Sequence, residues 1–281
     1  MRHSSNKNQT YAISLSFSTH SIAMLISGIF IFLTSNIFLL EESSILIIIS
    51  IISFGSLYYS LKINEPSIKR NTDSYKRNYS WSLIFQCVFP TLIIAIGAGL
   101  TIPFINLFFF HNFHIDSDEF ALIGGITSLI VAFSSLLVPF LKNRYGFLKS
   151  IINTQSLAVI ALILLATTAY YKHYYIVTFL AIIFYMIRAP LMNMAGPLTS
   201  EITMNYVGRK NQEMLSAIIA AIWSGSWYFS SQLFKILIDN GLDYSEIFYI
   251  TSIMYIIGII LYYFLIKKFN HMNKSGIINN N

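Results

Sequence analysis

Arg188 stands in an apolar run from Tyr174 to Leu198 that also carries Pro190, Gly196 and Pro197. A run of this length crosses a bilayer, which takes roughly 20 apolar residues. Arg188 then lies close to the midplane, with about ten residues, or roughly 15 Å, to the nearer helix end, farther than an arginine reaches by snorkelling. A cation at that depth is costly, has to face protein or a watery cavity, and marks a functional site by default. No aspartate or glutamate is expected near the middle of any span, so an anionic partner is the chemistry to look for. The plainer alternative is an arginine stacked on aromatic rings or bonded to carbonyls, locking two helices together.

Other residue types gather around it. Tyr185 and Phe184 share the helical face of Arg188 on one side, and Met192 and Ala195 on the other, by the i, i+3, i+4 rule. Trp223 and Trp227 lie four apart near the middle of another apolar run, where tryptophan, which favours interfaces, is unusual. They either line a cavity, stack on Arg188, or pack. Asn106 falls near the outer end of its run and suits a gate. His111, His114, Asp116, Asp118 and Glu119 are metal-capable types in one connector, but they read as a solvated turn, and neither a metal nor a cofactor is expected. Cys87 is the one cysteine and lies in an apolar run, so disulfides and cysteine-built metal sites are excluded.

The elements that must position these residues are transmembrane helices. Of the 281 residues, 55% are hydrophobic and 11% charged, and the mean hydropathy is +0.63, which no soluble domain of this size shows. The net charge of +6 is scattered between apolar runs, which fits a lipid-facing protein and excludes nucleic acid as a partner. Eight spans are expected, at about Ile13 to Leu40, Ile45 to Leu61, Trp81 to Phe110, Phe120 to Leu141, Ile151 to Tyr171, Tyr174 to Leu198, Met214 to Ile236 and Ile247 to Ile266. The fold class is an all-α polytopic bundle. Its organisation is two helices over 1–62, a polar linker over 63–80, six helices over 81–267 and a tail over 268–281.

Basic residues set the orientation, because short positive loops stay cytoplasmic. Fifteen of the eighteen lysines and arginines fall on one side, against Lys172 and Lys235 on the other and Arg188 within the membrane. Both termini and the linker are therefore expected in the cytoplasm, and the protein in the cell (inner) membrane. The third to fifth and the sixth to eighth spans form two triplets of nearly equal length that enter from opposite sides. Each opens on a span interrupted by proline and glycine, with Pro90, Gly97, Gly99 and Pro103 in one and Pro190, Gly196 and Pro197 in the other. Matching broken helices in inverted halves point to a transporter's substrate path.

On these residues the chain resembles the major facilitator superfamily of secondary transporters. The stretch from Gly97 through Asn106 is similar to the family's seventh helix. The loop Pro139-Phe-Leu-Lys-Asn143-Arg144-Tyr-Gly146 is similar to its short basic loop motif, keeping Arg144 and Gly146 and departing at Pro139 and Asn143. The stretch from Arg188 to Pro197 and on to Glu213 looks like the tenth helix and the turn into the eleventh. The resemblance covers the last eight of twelve helices. It implies a transporter of a small solute working by alternating access, with Arg188 holding an anionic group of the substrate or pairing with an acid elsewhere; Tyr185, Trp223, Trp227 and Asn106 are the other substrate-binding candidates, and Arg144 and Gly146 the gating loop. It also implies a truncated or split form, with a separate chain supplying four missing helices, and no transport by this chain alone. A polytopic membrane enzyme, or a non-transporting remnant or partner subunit, are the competing readings.

Overall fold

The computed structural model describes residues 9–37, 41–62 and 79–274. Nearly all of the linker and the end of the tail fall outside them. The described chain is helical: α1 (Gln9–Asn36), α2 (Glu42–Leu61), α3 (Trp81–Thr101), a 3₁₀ turn (Ile102–Phe104), α4 (Ile105–Phe113), α5 (Ser117–Thr168), a second 3₁₀ turn (Ala169–Tyr171), α6 (Tyr175–Val207), α7 (Gln212–Asp239) and α8 (Tyr244–Lys274). Five of the described helical stretches are long and apolar enough to cross a membrane. One of these is α3 with α4, which cross as a single broken span. At 1.5 Å per residue α5 would measure roughly 78 Å, more than twice a bilayer core. It breaks instead at Gly146, with φ 74° and ψ 172°, a conformation open essentially to glycine alone. Counting its two arms separately gives six such spans, while α2 and α7, the other two of the eight expected segments, are helical but fall short of that standard.

The two triplets are broken differently. Pro103 sits in the 3₁₀ turn that separates α3 from α4, whereas α6 runs unbroken through Pro190 and Pro197. Prolines lacking one backbone donor are tolerated in such helices where neighbours satisfy the freed carbonyls. α6 also continues nine residues past the predicted span and α8 continues to Lys274, so both carry polar residues beyond the apolar run.

α5 is the centre of the packing, with α6, α1 and α8 against it, while α3 lies between α7 and α8. Small residues let these backbones approach. A Cβ built on Gly99 would stand 2.6 Å from the Ser230 Cβ on α7, and one on Gly97 would stand 3.1 Å from the Tyr255 ring on α8. α1 presents a buried polar edge of Thr10, Ser14, Ser18 and Ser21. Farther along, Gly28 lies so close to α5 that a Cβ would meet the Ala121 carbonyl at 2.7 Å. α2 touches little besides α1 and is exposed along most of its length.

Candidate functional site

Arg188 lies within three residues of the midpoint of α6 and is 4% exposed. One terminal nitrogen donates to the Tyr255 hydroxyl on α8 at 3.4 Å, a long bond to a neutral partner. Its Nε has no hydrogen-bond partner among the described residues. Tyr255 is fully buried and its ring occupies the space that Gly97 leaves open. The guanidinium is therefore buried between α6 and α8, with α3 behind the Tyr255 ring. A buried charge whose hydrogen bonds are incompletely made is costly.

Tyr185, one turn toward the start of α6, packs its ring on Phe109 of α4 and Phe120 of α5, at 5.8 and 5.4 Å between centroids. Asn106 follows directly on the break at Pro103, and its Oδ1 is buried without a partner among the described residues. Trp223 and Trp227 are 38% and 43% exposed on α7. The face of α7 turned to α3 is instead that of Ser226, Ser230 and Phe234, where Ser230 donates to the Ile96 carbonyl at 2.9 Å and Phe234 stacks on Phe104. Among the described residues no cation–ring contact joins either tryptophan to Arg188. Arg144 is exposed beside the break, with its guanidinium 5.4 Å from the Tyr145 ring centre. Across the break Ser150 donates to the Leu141 carbonyl at 3.1 Å, tying the two arms of α5 together.

Side chains in the outer connector have structural duties. His111 stacks on Tyr244. His114 adopts φ 54° at the end of α4, and the Asp116 amide donates to Glu119 Oε2 at 3.2 Å at the start of α5. Among the described residues no three His, Cys, Asp or Glu side chains gather as a metal site would require.

The structure adds a cluster that hydropathy did not reveal. Glu201, on the part of α6 beyond the apolar run, is buried and accepts hydrogen bonds from Lys142 Nζ on α5, at 2.5 Å, and from the Thr10 hydroxyl on α1. Lys142 also donates to Thr10 Oγ1 at 2.8 Å. Three helices are thus pinned together on the basic side of the bundle. The signal available in the sequence was an acid among the few on that side, four residues after Pro197. Hydropathy ends the span at Leu198 and so leaves Glu201 outside it.

A model of the Major Facilitator Superfamily matches residues 87–279. The chain belongs to that superfamily. Among solved structures it is similar to a bacterial homologue of the iron transporter ferroportin in an outward-facing state, with a TM-score of 0.64 and 12% identity over 95% of this chain and 65% of that one. At that identity the likeness speaks for the fold, and the chain spans about two thirds of that protein's length. No curated protein matches the chain. As a superfamily member the chain is an integral membrane protein, and its Lys142–Glu201–Thr10 cluster ties α1, which packs outside the α3–α8 group, to α5 and α6.

Proposed function

We propose that this chain forms part of a secondary transporter that moves a small anionic solute by alternating access, with Arg188 holding the negative charge. The observation that carries the reading is a guanidinium 4% exposed near the middle of α6, bonded to a neutral phenol and with Nε unpartnered among the described residues. An anion entering beside it would supply the missing acceptor in a low-dielectric site, where a charge-assisted bond is strongest. Tyr185, Asn106, Trp223 and Trp227 are the side chains proposed to line the solute's path, and the loop of Arg144 and Gly146 to flex as the halves move. The Lys142–Glu201–Thr10 cluster would have to part if α1 moves against α5 and α6 as the halves rock. Both termini are placed in the cytoplasm and the protein in the cell membrane, on the asymmetry of the basic residues.

A rocking mechanism needs two rigid halves, and α3 to α8 supply one of them. We place the rest of the other half in helices beyond these 281 residues, consistent with the 65% coverage of the ferroportin homologue. Iron belongs to that homologue's description and is not carried over, because the feature supporting a substrate class here is a cation. Thermal unfolding of the purified chain with citrate, inorganic phosphate or glucuronate, and with glucose as the neutral control, tests the reading. At least one anion should raise the unfolding temperature of wild type, less so in Arg188→Lys and not in Arg188→Met. No anion effect, or an equal effect in Arg188→Met, overturns it. Uptake by the chain alone in liposomes would separately overturn the need for further helices.

A further inference from the structure

Between α3 and α8, on the outer face of the bundle and toward its basic side, lies an open groove of about 430 Å³. This falls within the ~300–1,000 Å³ usual for ligand sites. Its walls are the rings of Phe85, Phe89 and Phe264 with Leu261, and its two polar groups, Gln86 and Lys268, stand together at one end. The polar end is built. Gln86 Oε1 accepts from the Tyr206 hydroxyl at 2.7 Å and from Lys268 Nζ at 2.6 Å, while its amide nitrogen donates to the Ser82 carbonyl at 2.8 Å. The carboxamide is thereby fixed, and it fixes the lysine. An ammonium has three donors, so two remain to point along the rim. Trp81, exposed and with its ring 6.0 Å from Phe85, marks the interface level just beyond this end.

We propose that this groove binds an anionic glycerophospholipid, with its phosphate on Lys268 and an acyl chain along Phe85, Phe89, Leu261 and Phe264. The apolar lining and open side suit an acyl chain, and the charge at one end selects the headgroup. Basic pockets between membrane helices on the cytoplasmic side bind such headgroups. The site involves neither Arg188 nor the Glu201 cluster, so it stands apart from the transport reading.

The test uses Trp81 as the reporter, in a Trp223→Phe/Trp227→Phe background reconstituted into phosphatidylcholine bilayers. Phosphatidylglycerol or phosphatidylcholine with brominated acyl chains is added at equal fractions, and quenching is measured. Brominated phosphatidylglycerol should occupy the groove about fivefold more than brominated phosphatidylcholine, the ratio that ~1 kcal/mol per basic residue gives. Lys268→Gln should erase the difference and Lys268→Arg should keep it. Equal quenching in wild type, or a preference that survives Lys268→Gln, overturns the proposal. So does quenching by neither lipid, the result expected if a second copy of the chain covers the groove.

Discussion

Lys142 and Glu201 make an unequal pair, and the inequality predicts how each substitution will act. The Glu201 side chain is 3% exposed and that of Lys142 20%. Lys142→Met leaves a buried carboxylate with the Thr10 hydroxyl as its remaining partner, at a cost of about 3–5 kcal/mol, the range for breaking a buried pair from one side. Glu201→Gln keeps the shape and an acceptor for Thr10, and the freed ammonium can turn toward water. Its cost should stay near ~1.5–3 kcal/mol, the worth of a hydrogen bond to a charged group. The double variant should be less destabilised than the sum, because neither charge is stranded, with a coupling of ~1–3 kcal/mol. Denaturant unfolding of the purified chain in detergent, followed by tryptophan fluorescence, gives all four corners of the cycle. Additive effects to within ~0.5 kcal/mol, or a larger loss for Glu201→Gln than for Lys142→Met, would refute the reasoning from burial.

Further expectations follow from other contacts. Gly146→Ala and Gly208→Ala should each lose about 1–3 kcal/mol of stability in the same assay, because both backbones hold φ 74°. Gly225→Ala, on α7 with open space around it, should be neutral or stabilising. Tyr255→Phe removes the hydrogen bond that Arg188 makes and should lower the unfolding temperature modestly while increasing the gain from a bound anion; an unchanged anion response would count against Arg188 as the binding group. In a Cys87→Ser background, a cysteine at residue 210 should react with an impermeant maleimide only from the cytoplasmic side, and one at residue 116 only from outside. The reverse pattern would invert the orientation.

The apolar pattern by itself determined the all-helical membrane class and the run that carries Arg188 in its interior. These depend on the bilayer as a solvent, which acts on each segment alone and is therefore written locally. Glycine was legible where it acts through its own backbone: Gly146 breaks α5 where the basic loop motif placed it. Gly97 and Gly99 are small residues that let helices approach, but their identity does not tell that Tyr255 and Ser230 are what they admit. The partner of Arg188 lies 67 residues away on α8, and Thr10 meets Glu201 across 191 residues. Such pairings follow from how far each helix continues past its apolar run and how it is rotated against its neighbours. A few degrees or one extra turn changes which polar groups meet, and hydropathy is insensitive to both. The unbroken course of α6 through two prolines was likewise settled by packing, since α5, α1 and α3 hold a helix that the sequence alone would interrupt.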